Sequence, residues 1–314
     1  MKFFDKKTIF EISNFSEWIE AMELAMLASN TGGFVMPKRM HLDYGDDTFL
    51  LMPCITNEYW VTKLVSFCPG NKHLGHPSIY GTVVLNDTKT GQPLAIMDGS
   101  AITAMRTAAV TSLGIKNLAP LDCHSLGIIG TGVQGIHQAL FATSVREITT
   151  IWAFDQNKNN LEEFANELNN QRPKIKIIQA KDSTEVVLNS EVIISATNSQ
   201  NPVFPDIKEL FTGKTFVGIG SYKPDCMEFP EQLFRQIDQI FVDTMDGKKE
   251  TGDLIIPLQN NWISENRIYS LGSLLSGAIL PTANSTRLFK TVGSAIFDLF
   301  ASKLIYEKDI KCKL

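Results

Sequence analysis

From about residue 124 onward, short β-branched apolar runs alternate with segments whose apolar positions recur every three to four residues. The first pattern suits buried strands and the second amphipathic helices, and their alternation is the signature of parallel βαβ units. Residues 125–129, 148–154, 175–178, 191–196, 215–220 and 239–243 read as six such strands. Between them, residues 160–168 place Leu161, Phe164, Ala165 and Leu168 on one helical face. The pattern predicts a doubly wound sheet with helices on both faces.

The first part of the chain reads differently. Asn14 and Glu17 form an Asn-x-x-Glu variant of the capping box, opening a helix that Asn30-Thr31-Gly32-Gly33 closes. Strand patterns follow at 49–52, 60–65 and 81–85, and Asn86-Asp87-Thr88-Lys89-Thr90-Gly91 then predicts a hairpin turn into a strand at 93–97. A helix over 100–118 leads into the βαβ region. Residues 288–304 read as one long helix returning to the first part of the chain.

One turn in the βαβ region carries chemistry. Gly130-Thr131-Gly132-Val133-Gln134-Gly135 follows the first strand and opens a helix-compatible run, and Asp155 ends the next strand 20 positions after Gly135. Gly130 permits the tight turn, Gly132 lets the backbone approach a pyrophosphate, and Gly135 lets helix and strand pack closely. The helix start then offers N–H groups and a positive dipole end to phosphates. A tight turn without a ligand needs neither the helix nor the acid in register, so dinucleotide binding is the stronger reading. Asp155 suits ribose hydroxyls and repels a 2′-phosphate, which predicts NADH preferred and NADPH possible, with Lys158 softening the discrimination.

Composition removes several other classes. With 44% hydrophobic and 20% charged residues the chain is neither disordered nor fibrous, and its net charge of −5 offers no basic stripe for nucleic acid. No apolar run approaches the ~20 residues that span a bilayer, and the N-terminus has no apolar signal region. Five scattered cysteines form no metal-ligand spacing and suit reduced thiols in the cytoplasm. His73 and His76 lie three apart in a Pro/Gly-rich loop with no matching third ligand, so no metal is expected.

An acid substrate needs cations to hold it, and arginine suits a carboxylate because its planar fork donates two parallel hydrogen bonds. The first part of the chain supplies Arg39, Lys63 and Arg106. Taken singly, each is more often a solvated surface charge than a ligand. Lys63 is the sharpest of the three, because Trp60-Val61-Thr62 and Leu64-Val65-Ser66-Phe67 surround it with strand-core residues. A charge in that setting needs a partner.

These features in order make the chain resemble the ornithine cyclodeaminase and mu-crystallin family over nearly its whole length. The resemblance rests on Gly32-Gly33, Met36-Pro37-Lys38-Arg39, Leu51-Met52-Pro53, Lys63-Leu64-Val65, Pro69-Gly70-Asn71 and Gly91-Gln92-Pro93-Leu94-Ala95. It continues through Arg106-Thr107-Ala108-Ala109, the glycine loop, Glu250-Thr251-Gly252-Asp253-Leu254 and Leu288-Phe289-Lys290-Thr291-Val292-Gly293. It implies a Rossmann doubly wound sheet at 119–289, binding NAD(P), inserted in an α+β substrate-binding and dimerisation domain of residues 1–118 plus 290–314, in a homodimer. It also implies that Arg39, Lys63 and Arg106 hold a substrate carboxylate with Thr82 beside it. Thr197 would lie along the dinucleotide, and Thr291 and Gly293 near the nicotinamide.

One departure bears on the reaction. The family's cyclodeaminases carry a catalytic aspartate after the fifth Rossmann strand, and the matching stretch Gly218-Ile219-Gly220-Ser221-Tyr222-Lys223-Pro224-Asp225 puts Tyr222 there. Tyrosine, with a pKa of about 10, is a poor base near neutrality. The resemblance therefore implies an oxidoreductase acting on CH–NH groups, a reductase of cyclic α-imino acids such as Δ1-pyrroline-2-carboxylate or its six-membered homologue. Lys63, Arg106 and Tyr222 are its candidate catalytic residues. Alanine dehydrogenase, ornithine cyclodeaminase and a non-catalytic nucleotide-binding protein of the mu-crystallin type are the alternatives.

Overall fold

Strand β1 (Lys2–Phe4) and helix α1 (Lys6–Glu11) precede α2 (Phe15–Thr31), which begins as its sequence predicts. The Asn14 side chain accepts from the Glu17 N–H at 3.1 Å, and the Glu17 carboxylate accepts from the Asn14 N–H at 3.0 Å. The computed structural model describes residues 1–221 and 223–312. Strands β2 (Met40–Tyr44), β3 (Asp47–Ile55), β4 (Tyr59–Phe67), β5 (Ile79–Asp87) and β6 (Pro93–Asp98) follow as antiparallel neighbours. With β1 parallel to β6, they form a six-stranded sheet in the order β1-β6-β5-β4-β3-β2.

Helix α3 (Gly99–Leu118) leads to β7 (Ser125–Ile129), α4 (Val133–Val145), β8 (Thr150–Phe154), α5 (Lys158–Gln171), β9 (Lys176–Gln179), α6 (Ser183–Leu188) and β10 (Val192–Ser195). Then come β11 (Thr215–Gly218), α7 (Glu231–Phe234), β12 (Gln239–Val242), α8 (Gly252–Gln259), β13 (Ile268–Ser270), α9 (Leu271–Leu275), β14 (Arg287–Lys290) and α10 (Ala295–Lys311). The second sheet is wholly parallel, in the order β13-β12-β14-β11-β10-β7-β8-β9. The chain winds from β7 one way to β9 and the other way from β10, which is the Rossmann arrangement.

This sheet corrects one expectation. Residues 288–304 are not one helix: Leu288, Phe289 and Lys290 lie in β14, fully buried between β11 and β12, and the helix starts only at Ala295. Gly293, at φ +76°, breaks the chain between them. β13 and β14 bring the six strands read from the pattern to eight.

The chain divides into two compact units, Met1–Arg106 with the stretch from Gly293 onward, and Thr107–Val292. The first division falls inside α3 rather than at its end. In the second unit, Arg146 donates to the carbonyls of Lys116 at 2.7 Å and Ala119 at 2.9 Å, and Arg287 donates to that of Leu118. A Cβ on Gly114 would lie 2.4 Å from the Phe289 ring, so this half of α3 sits against β14. In the first unit, α10 packs on α2 and across β3, β4 and β5. Among the described residues, no helix is long and apolar enough to cross a membrane.

Candidate active site

The glycine loop joins β7 to α4, with Gly132 at the helix N-cap. Gly130 takes φ +91°, and a Cβ on Gly135 would sit 2.2 Å from the Gly130 carbonyl oxygen, so neither position accepts a side chain without displacing the turn. A Cβ on Gly132 would meet nothing within 4 Å. The loop is therefore tight where it packs and open where a phosphate would approach, with Val133 exposed and Gln134 half-buried in the first turn of α4. Those features fit a dinucleotide pyrophosphate. Asp155, at the end of β8, accepts from the Thr131 N–H at 2.8 Å and hydroxyl at 3.1 Å, and from the Asn157 N–H at 2.8 Å.

The loops after β10 and β11 are tied together by a carboxylate that sequence reasoning missed. Glu228 is fully buried, and one of its oxygens accepts from the Ser195 hydroxyl at 2.5 Å, the Thr197 hydroxyl at 2.6 Å and the Thr197 N–H at 3.1 Å. Its other oxygen accepts from the Ser221 N–H at 3.1 Å. The Glu228 N–H donates to Asp253 at 2.7 Å, and Asp253 pairs with Lys290 at 2.8 Å with both side chains wholly buried. Burial pushes the Asp253 carboxyl above its ordinary value; Lys290 opposes that rise and Glu228 adds to it. Nearby, Asp243 accepts from the Thr291 hydroxyl at 2.6 Å and the Val292 N–H at 3.0 Å. Thr197 and Thr291 are thus fixed by buried acids at the carboxyl ends of strands, where α/β sheets bind ligands. Tyr222, the candidate at the cyclodeaminase aspartate position, lies outside the described residues.

In the first unit, two of the three candidate cations, Lys63 and Arg106, meet on a second unforeseen acid. Lys63, on β4, and Arg106, on α3, are buried, and both reach Asp298 in the first turn of α10. The Lys63 ammonium lies 3.0 and 2.9 Å from the two Asp298 oxygens and 3.5 Å from the Thr103 hydroxyl. Arg106 gives Nε to Asp298 at 3.1 Å. Its two outer nitrogens have no protein partner among the described residues. Arg39, half-buried, donates to the Gly293 carbonyl at 2.7 Å, and a Cβ on Gly293 would lie 2.8 Å from an Arg106 nitrogen. Glycine is required there both by φ and by the guanidinium beside it. Burial pulls the Lys63 ammonium down to about 8; Asp298 opposes the drop, while Arg106 and Arg39 add to it. Two buried cations, Lys63 and Arg106, against one buried carboxylate leave an excess of positive charge suited to an anion with a flat, two-oxygen face.

Thr82 is not brought to this cluster. The β4–β5 register pairs Lys63 with Val83 and Leu64 with Thr82, so Thr82 points to the opposite, exposed sheet face. The missed residues had a signal in common: Asp298 in Ile296-Phe297-Asp298-Leu299, Glu228 before Phe229-Pro230, and Lys290 after Leu288-Phe289 are charges inside apolar runs. No cluster of three or more metal-binding side chains occurs among the described residues.

The profile of the ornithine cyclodeaminase/mu-crystallin family matches residues 3–312. A Δ1-pyrroline-2-carboxylate reductase of Bacillus cereus is 32% identical over 308 residues, covering 95% of this chain and 93% of that protein. Mouse ketimine reductase mu-crystallin is 31% identical over 247 residues, 78% of this chain and 75% of its own. The structure of Thermococcus litoralis Δ1-pyrroline-2-carboxylate reductase in complex with NADH and L-proline superposes with a TM-score of 0.93 at 32% identity. It covers 100% of this chain and 99% of that one.

Proposed function

This chain belongs to the ornithine cyclodeaminase/mu-crystallin family, and from that premise we propose that it reduces cyclic α-imino acids with NADH, converting Δ1-pyrroline-2-carboxylate to L-proline. The observation that carries this reading is the cluster of Lys63, Arg106 and Arg39, in which the two outer nitrogens of Arg106 have no protein partner among the described residues. The substrate carboxylate binds to that fork and to the Lys63 ammonium, which fixes the adjacent imine carbon and nitrogen. NADH, when bound, supplies the hydride. A preformed imine requires only a held carboxylate and one proton on nitrogen, which Tyr222 or water delivers.

Asp155 supports a preference for NADH, since its carboxylate sits fixed at the end of β8 where a 2′-phosphate would meet it. Steady-state oxidation of NADH and NADPH with Δ1-pyrroline-2-carboxylate, and with pyruvate plus ammonium, tests both parts. Rapid NADH oxidation with the cyclic imine is expected, with a lower KM for NADH than for NADPH and a smaller gap in Asp155→Ser. Turnover of pyruvate and ammonium alone would make the chain an alanine dehydrogenase, and tighter NADPH binding would overturn the role of Asp155.

The enzyme acts as a homodimer in this reading. Met40, Leu42, Tyr44, Phe49, Leu64 and Tyr80 share one face of the six-stranded sheet by register, and all are exposed, Tyr44 at 82%. An apolar face of that extent marks an association surface. Light scattering is expected to give twice the 34.9 kDa of the chain; a monomer at micromolar concentration would contradict it. The five cysteines, all free, suit a cytoplasmic location.

A further inference from the structure

We propose that Asp298 is a positioning residue whose carboxylate, shared between Lys63 and Arg106, holds the two cations as one receptor for the substrate's carboxylate. The assignment rests on the imine-reductase reading and extends it to a residue that does not itself touch substrate.

Three observations carry it. Asp298 is 0% exposed, yet both its oxygens are engaged by cations from different elements, Lys63 of β4 and Arg106 of α3. It binds Arg106 through Nε alone, so the flat edge carrying the two outer nitrogens is left for a ligand. It also stands in the first turn of α10, where the helix dipole favours a negative charge. Without it, Lys63, Arg106 and Arg39 would repel one another in a buried space, and nothing would fix the direction of the ammonium or the guanidinium.

The consequence is a specific pH behaviour. The charged or titratable groups around Lys63 are Asp298, Arg106 and Arg39, with the Cys54 thiol on β3 beside Asp298 and raised to about 12 by burial and by that carboxylate. Asp298 is the one group opposing the fall of Lys63 to about 8. A charged Lys63 binds the substrate carboxylate and a neutral one does not. KM for the imino acid should therefore rise as pH passes about 8 in the unaltered chain. Removing the Asp298 charge lowers the Lys63 value further, so the same rise begins at lower pH.

The test measures KM for Δ1-pyrroline-2-carboxylate between about pH 6 and 10 in the full chain, Asp298→Asn and Asp298→Glu, with NADH affinity alongside. Asp298→Asn is expected to raise KM at pH 7 at least ~10-fold and to move the pH-dependent rise down by about one unit, with NADH affinity within about twofold. Asp298→Glu should raise KM but keep the pH at which it climbs, because the charge remains. The Lys63 ammonium, followed by carbon-13 NMR without cofactor, should titrate near 8 in the unaltered chain. If Asp298→Asn does not fold, Asp298→Glu decides the matter, since an unchanged KM in that variant overturns the proposal. So does an Asp298→Asn enzyme with unchanged KM and profile. Absence of imine reduction by the unaltered chain would instead overturn the function reading, and this assignment with it.

Discussion

Arg106→Ala is expected to lower kcat/KM for the cyclic imine by at least ~10²-fold while leaving NADH affinity within about twofold. The size follows from how the side chain is used. Arg106 is 5% exposed, so its charge is largely desolvated, and its outer nitrogens find no protein partner among the described residues. A charge-assisted hydrogen bond to an ionised group contributes about 1.5–3 kcal/mol, and a bidentate pair uses two of them. Lys63→Ala should fall by a similar factor, because it removes the other charge and leaves Asp298 with Arg106 alone. Arg106→Lys should recover little, since an ammonium cannot reproduce the planar fork while also reaching Asp298. The NADH measurement separates a lost receptor from a lost fold, because the glycine loop belongs to the other unit. Near-normal activity in both alanine variants would place the substrate elsewhere.

Much of this was legible in the chain, for identifiable reasons. The glycine loop and Asp155 stand in register because strand, turn and helix lengths are constrained around a pyrophosphate, and the strand and capping-box signals are local. Lys63 was visible as a charge among apolar neighbours, and Arg39 and Arg106 as cations in the family's motifs. The partner shared by Lys63 and Arg106 was not, because Asp298 lies 235 residues from Lys63 and only packing of α10 over β4 joins them. Glu228, Asp253 and Lys290 pose the same problem: a charge inside an apolar run declares its burial and withholds its partner. The misread helix at 288–304 has a different cause. Arg287-Leu288-Phe289-Lys290 is a buried strand of four residues, too short to show a period of its own, so periodicity does not separate it from the helix that follows. Gly293, at φ +76° between the end of β14 at Lys290 and the start of α10 at Ala295, is the break that the pattern offers.

With catalytic NAD, ornithine is expected to yield ammonia at least ~10³-fold more slowly than NADH reduces Δ1-pyrroline-2-carboxylate, a ratio within the range that a positioned general base contributes. Cyclodeamination needs a group that takes the substrate's ammonium protons and assists loss of ammonia, and the family's cyclodeaminases place an aspartate where this chain has Tyr222. The loop offers no substitute. Asp225, three residues on, is exposed, and Glu228 is fully buried, with four hydrogen bonds tying it to Ser195, Thr197 and Ser221. A side chain with both oxygens committed to four donors of its own loops has no oxygen left to meet the substrate's ammonium. Reduction of a preformed imine makes no such demand, since nitrogen gains a proton instead of losing one. Tyr222→Asp should therefore raise ammonia release from ornithine only weakly, because the surrounding groups that would orient the new acid have not changed with it. The deciding comparison is ammonia from ornithine against NADH oxidation by the cyclic imine, measured on the same preparation. Efficient cyclodeamination with negligible imine reduction would mean that a group other than a carboxylate in this loop serves as the base.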